Sequence, residues 1–429
     1  MKRMRVFMVC LVLLAIITSQ GLYSAGKVEP SKAVVSEVVN IRVSWWGGES
    51  RHVLWNKMLD IFEQQNPNIK VSREFTDYNA YWDRLATQTA GGNAPDVIMQ
   101  VMHKFAEYAK RGQMMELDPL IKERKIDLSD WGQGIIDSGK FNGKTYMVSY
   151  GNTSNAIIYN KTILDSIGVS VSSFMTWEQF EAKANEIQKK LPSGIWAIED
   201  LGGYDYFFAN WCLSQGLPGL YTSEGQLAYN RDNLITWFSM WDRMRKTGVT
   251  PPPSIQAEYP SERPEQTMIA RGKVTMFVKP LNQLPSFQTA TTDNLQLISV
   301  PSAVRSGQDL GGAYISLNAK TQHLEEALKL LNFFITSKDA ADIMGVEYGP
   351  MGSDKMNTYL QTKVTPAQKV GVAFMQTIAA AINVPAQPPA GSNEVTNYFN
   401  LAYESVAFGK KTISAAVDDF LNEAKRILQ

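Results

Sequence analysis

The sequence predicts an α/β protein of two lobes, each holding its own sheet, the first parallel and flanked by helices. Three observations carry this. The chain has 429 residues, more than one ordinary core serves. Strand-like and helix-like stretches alternate through the first hundred residues of the fold, as βαβ units require. A fresh set of strands and helices then follows a turn near residue 142, so a second sheet is expected.

The N-terminus comes first. Lys2, Arg3 and Arg5 precede the apolar stretch Val6–Ile17, and small residues Ser24 and Ala25 follow. This pattern predicts a signal peptide over 1–25, since the apolar run is short for a membrane span. Cys10 lies inside that run without the Leu-small-small pattern of a lipoprotein signal, so no lipid anchor is expected. The mature chain keeps only Cys212, which leaves no internal disulfide and no thiolate metal cluster. A secreted chain of this kind fits a bacterial periplasm. Residues 26–40 are polar, contain Pro30 and predict a linker.

"IRVSWW" (41–46) is β-branched and apolar and predicts a strand. Leu54, Met58, Ile61 and Phe62 recur at helical spacing from Arg51 to Gln65, until Pro67 ends the helix. "IKVSREF" (69–75) is a second strand, and Tyr81, Trp82 and Leu85 begin a helix that "AGGN" stops. "PDVIMQV" (95–101) is the nearly continuous apolar run of a strand covered on both faces, followed by a helix from Lys104 to Arg111. "FNGKTYMVSY" (141–150) predicts a hairpin with an Asn-Gly turn. Thr176 and Gln179 form the capping box of a helix through Lys189. Leu234, Trp237, Trp241 and Met244 share one helical face and are expected in the core. Residues 295–301 and 310–321 predict strands, the second entered through Gly311 and Gly312. The C-terminal third is mostly helical, with a Pro-rich break at 384–392.

Composition excludes some functions. Formal net charge is zero and no basic run occurs, which argues against nucleic-acid binding. His52, His103 and His323 are scattered, without metal-ligand spacing. No Gly-x-Ser-x-Gly stands in the chain, and "WWGGES" and "TAGGNA" lack the order of a phosphate cradle. A carboxylate pair that meets only in space is invisible to this reasoning, so a secreted glycoside hydrolase or lyase stays the rival reading.

A sugar presents flat C–H faces and an edge of hydroxyls. Its site needs aromatic rings and side chains that both donate and accept hydrogen bonds. Trp45, Trp46, Gln100, His103, Asn152, Tyr204, Asp205 and Asn282 are of the right types in loops or near strand ends. Ligands of open α/β sheets sit beyond the carboxyl ends of the strands. Trp45–Arg51 and Gln100–His103 follow the first and third strands, so both are expected at one edge. Neighbours on a strand alternate faces, so one of Trp45 and Trp46 should enter the core. Glu49 and Arg51 form a solvated pair at a helix start or, with Arg51 turned into the cleft, suit a ligand carboxylate.

At this point the chain resembles the carbohydrate-binding extracellular solute-binding proteins of bacterial ABC transporters, the group that includes maltose-binding protein. The resemblance rests on "IRVSWWGGESRH" with "DIFEQQNPNIKV", on "LATQTAGGNAPDVIMQ", on "FNGKTYMVSYGNTSNAIIYNKTIL" before "TWEQF", on "MIARGKVTMFV" and on "GGAYISLNAKTQHLEEALKLLNFF". It implies a two-lobed periplasmic-binding-protein fold, each lobe a mostly parallel sheet flanked by helices, with the ligand cleft between the lobes. The N-terminal lobe would comprise 41–149 plus 312–350, and the C-terminal lobe 153–308 plus 354–429. Crossovers would lie at 149–153, 301–312 and 349–354. It also implies ligand contacts at Trp45, Trp46, Gly47, Gly48, Glu49, Arg51, Gln100, His103, Asn152, Thr153, Tyr204, Asp205, Lys279, Asn282, Gly311, Gly312 and Tyr398. Gln100 and Asn282 stand where the family has aromatic platforms and His103 where it has a carboxylate, so maltose itself is not expected.

The function so implied is capture of a sugar or oligosaccharide and its delivery to a membrane permease. The carrier would be a periplasmic monomer without enzymatic activity, cofactor, metal or nucleic acid. A sugar-binding protein serving a chemoreceptor or sensor is a further alternative. A polyamine ligand is disfavoured because few acids stand near the expected cleft, and iron because no tyrosine-pair motif is visible.

Overall fold

The computed structural model describes residues 38–259 and 263–429, so the expected signal peptide and nearly all of the linker lie outside the described residues. The first sheet has the order β2-β1-β3-β10-β6. Its strands are β1 (Val39–Trp46), β2 (Ile69–Thr76), β3 (Val97–Gln100), β6 (Met147–Thr153) and β10 (Gly311–Leu317). β1 is parallel to β2 in the register Val39↔Ile69 and parallel to β3; β10 runs against both β3 and β6. Strand β1 therefore starts two residues earlier than expected, and the linker ends before Val39. Between β3 and β6 lies a hairpin of β4 (Lys140–Phe141) and β5 (Lys144–Thr145). Its turn residues Asn142 (φ 50°) and Gly143 (φ 78°) are both left-handed, as a tight primed turn demands.

The second sheet is β8-β7-β9, formed by β7 (Asn155–Asn160), β8 (Met276–Pro280) and β9 (Leu295–Ile298). It is antiparallel, since β7 runs against both neighbours. The expectation of a mostly parallel sheet fails here for a topological reason. Helix Leu284–Thr289 carries the chain from β8 over to β9, but β7 has already arrived from the first sheet and fills the place between them. The passage between sheets is abrupt. Strand β6 continues through Thr153, Ser154 is the single residue before β7, and the chain returns between Ile298 and Gly311.

Helices clothe both sheets. Thr176 and Gln179 form the expected capping box, and Asn230 with Asn233 forms a second at the start of helix Arg231–Lys246. Trp237 and Trp241 of that helix are fully buried against Phe208 and Phe399 of the second core. The first core gathers Trp55, Phe62, Leu331 and Phe334 around β1 and β3. A third cluster joins the sheets, with Phe105 and Tyr314 from one side and Ile158 and Phe277 from the other. Helices Pro366–Ile378, Ser392–Ala407 and Ile413–Leu428 complete the chain.

Candidate ligand-binding cleft

The carboxyl ends of β1, β2, β3 and β6 lie on one edge of the first sheet, where β10 enters through Gly311 and Gly312. That edge collects most of the expected residues, but their side chains divide into three groups.

The first group is structural. Trp45 has no exposed surface and stacks on Trp55 (4.9 Å between ring centres) and Phe75 (4.8 Å), while its Nε1–H donates to Nδ1 of His52 at 3.1 Å. It belongs to the core and is not a ligand contact. Trp46 is nearly as buried, within Tyr78, Tyr81 and Trp82. Alternation of faces fails to separate the two tryptophans because helices cover both faces of β1 from Val43 onward. Gly47 packs closely on Arg51, where a β-carbon would stand 2.7 Å from its Cδ. Gly48 caps helix Glu49–Gln65 by its backbone, and Glu49 is exposed in its first turn.

Arg51 pairs with Glu347, not Glu49. Its Nη2 lies 3.0 Å from Oε1, and the guanidinium sits 4.3 Å above the Tyr348 ring. Desolvation lowers its pKa, but Tyr348 and Glu347 outweigh that and raise it overall. The charge offered for a ligand carboxylate is engaged inside the protein.

The second group binds the passages between the sheets. The Asn152 backbone N–H and Nδ2 both donate to the carbonyl of Pro350, and Ser149 donates to its Oδ1. The hydroxyl of Thr153 donates to Oδ1 of Asn282 at 2.9 Å, and Nδ2 of Asn282 donates to the Glu347 carbonyl. Gly311 and Gly312 pair with Thr153 and Asn152, and a β-carbon on Gly312 would overlap the Gly151 carbonyl. Asn152, Thr153, Asn282 and Gly312 thus fasten chain to chain, and each of the three polar side chains has a hydrogen-bond partner within the protein. Beside them Asp309 accepts from the backbone and Nδ2 of Asn155, from Asn210 and from Ser154.

The third group faces open space or lacks partners. Gln100 ends β3 with no exposed surface, and neither its Oε1 nor its Nε2 has a hydrogen-bond partner. A buried primary amide with nothing to bond costs about 1–3 kcal/mol for each unmet group. His103 is solvent-exposed yet crowded; desolvation, then the Lys104 charge, push its imidazole down to about 4. Its Nε2 lies 2.9 Å from the hydroxyl of Tyr78. Tyr78 is 37 % exposed and was not picked out from sequence; its position at the carboxyl end of β2, on the same edge, was the available signal. The neighbouring Lys104 donates to Oδ1 of Asn393, joining this edge to the start of helix Ser392–Ala407.

Across from that contact stand the second-half residues. Tyr204 caps helix Asp205–Ser214 and packs 5.5 Å from Tyr206. Asp205 accepts from Thr396 at 2.6 Å, and burial raises its pKa. Tyr398 and Lys279 are half-buried nearby, on helix Ser392–Ala407 and strand β8. Tyr204 lines a cavity of about 410 Å³ that also reaches Glu199, Tyr259 and Asn400. Among the described residues no His, Cys, Asp and Glu cluster could hold a metal ion.

Comparison with known proteins agrees with this architecture. The bacterial extracellular solute-binding protein family matches residues 57–354. The chain is 32% identical over 108 residues to the putrescine/cadaverine-binding protein of Pseudomonas aeruginosa, covering 25% of this chain and 29% of that protein. The first two curated relatives are matched over only 29% and 37% of their length. Identity to the multiple sugar-binding protein of Streptococcus mutans is 22% over 336 residues, 73% of this chain and 75% of that one. A periplasmic oligogalacturonide binding protein from Yersinia enterocolitica, solved with saturated digalacturonic acid, superposes with a TM-score of 0.78 at 23% identity, covering 91% of this chain and 98% of that one. This likeness shows the fold. With the family match extending over most of two sheets and their connections, the chain belongs to the bacterial extracellular solute-binding proteins.

Proposed function

We propose that the chain is the substrate-capturing component of a bacterial ABC import system and takes a sugar or oligosaccharide. The single observation that carries this is Gln100, whose buried amide has a donor and an acceptor both unmet at the ligand-binding edge of the sheet. Hydroxyl groups both donate and accept, so a polyol satisfies it fully. The solvent-accessible rings of Tyr78, Tyr204 and Tyr398 suit the apolar faces of sugar rings. The names of the Streptococcus and Yersinia proteins support the same class.

In this reading the lobes are 41–149 plus 312–350 and 153–308 plus 354–429. The passages at 149–153, 301–312 and 349–354 act as hinges, and closure around the ligand is what a permease recognises. The protein works as a periplasmic monomer after loss of residues 1–25.

The test is a thermal-shift screen of the purified chain from Gly26 onward against neutral, amino and uronic-acid mono- and oligosaccharides. Ligand at about a hundred times its Kd stabilises the fold by about 2.7 kcal/mol, enough to raise the melting temperature visibly. A shift with the sugar recovered intact is expected. A sugar recovered cleaved would move the protein to the hydrolases, and silence across the panel would remove sugars altogether.

A further inference from the structure

The cavity beside Tyr204 has a chemical imbalance. Three of its hydrogen-bond donors are engaged within the protein: Nε2 of Gln256 with the Asp200 carbonyl, the Thr267 hydroxyl with the Pro264 carbonyl, and the Tyr403 hydroxyl with the Asp200 carboxylate. Two of its acceptors are not. Glu199 is 8 % exposed, and among the described residues no hydrogen bond reaches its carboxyl group. Oδ1 of Asn400 is buried in the same cavity and also lacks a partner. Unmet acceptors of this kind are completed by a ligand that brings donors.

Charge narrows the choice. Glu199, Asp200 and Glu404 line the cavity, and among the described residues no Lys, Arg or His lines it. Arg245 reaches Asp200 from behind and offsets that charge, leaving Glu199 and the rim residue Glu404. The rings of Tyr204, Tyr259 and Phe408 form walls, and aromatic faces attract cations. Burial drives the Glu199 carboxyl up to about 7 against the pull of Lys279, so a cation arriving there gains by holding it ionised. Asn400 follows the Lys104 partner Asn393 by seven positions on one helix, about 10 Å along its axis.

We propose that this cavity receives a primary ammonium group of the ligand, seated on Glu199 and Asn400 between aromatic walls. The inference rests on the reading that a ligand enters beside Tyr204. It revises the expectation that too few acids stand near the cleft for an amine. The ammonium has two possible sources, an amino sugar or a linear diamine, and the experiment separates them.

Calorimetry at pH 7 on the chain from Gly26 onward would use three probes: the β-1,4-linked glucosamine dimer, cellobiose as its neutral counterpart, and putrescine. At least one amine probe is expected to bind ten times or more tighter than cellobiose. Glu199→Gln and, separately, Asn400→Leu should each remove most of that preference. Unliganded melting curves show whether each variant folds, so one variant suffices if the other does not. Tighter binding of the glucosamine dimer identifies an amino sugar. Binding of putrescine with no sugar bound keeps the inference and ends the sugar reading. Binding of cellobiose or another neutral sugar with no amine preference, or a preference that survives both substitutions, overturns the inference and leaves the sugar reading intact. If nothing binds, both fall.

Discussion

The carbonyl oxygen of Asn152 occupies the space where a β-carbon on Gly349 would sit. Gly349 also has φ at 96°, which side-chain-bearing residues rarely adopt. The segment after helix Lys338–Met344 therefore touches the passage from the first sheet to the second backbone to backbone. Gly349→Ala must strain the backbone or push the two segments apart, at about 1–3 kcal/mol. A fall of several degrees in the melting temperature of the unliganded protein is expected; an unchanged transition would show that the contact yields freely.

Gln100 bears on binding and stability in opposite senses. Its amide is buried with both polar atoms unmatched. Gln100→Leu keeps the volume and removes the unmet groups, so the empty protein should melt at the same temperature or higher. Affinity for the sugar found by the screen should fall about tenfold or more, the loss of about 1.4 kcal/mol or more of hydrogen bonding. Isothermal titration decides it, and an affinity equal to the parent's would mean that no ligand reaches Gln100.

Arg51 gives the contrasting case. Its guanidinium is held by Glu347 and Tyr348. Arg51→Gln should cost about 1 kcal/mol of stability, since the pair is partly solvated. Binding of neutral and acidic sugars alike should stay within twofold. A selective loss for uronic acids would show that Arg51 leaves Glu347 to read the ligand.

His103 predicts a pH dependence. Its folded pKa is near 4, below the ordinary 6.5, because desolvation and then Lys104 disfavour the charged ring. Between those values the unfolded chain binds a proton that the folded chain refuses, so stability rises with pH there. The contribution of neutral His103 is complete above about pH 6.5 and is lost as pH falls toward 4; exposure of the ring keeps it small. Melting temperatures of the parent and of His103→Gln should converge or cross between pH 7 and 4.5, the parent falling faster. Parallel curves would contradict the depressed pKa.

Much of this protein was legible in the chain itself. The alternation of apolar strands and amphipathic helices, the Asn142–Gly143 turn and the Thr176–Gln179 box are local devices, set by φ preferences and by bonds three residues apart. The shared edge for the loops after β1 and β3 followed from parallel pairing alone.

Which side chains at that edge are free was decided elsewhere. Glu347 holds Arg51 from 296 positions away, and Asn282 meets Thr153 across 129. Residue type cannot reveal whether a polar group has already found its partner, because that partner comes from a distant segment. The same holds for the antiparallel second sheet, where β7 arrives from the first sheet before its neighbours are made, and for the cavity of Glu199 and Asn400, which lie 201 positions apart in the chain. Periodicity and turn chemistry act within a few residues and so can be read along the sequence. Hydrogen-bond satisfaction is a property of the packed interior, and only the tertiary structure assigns it.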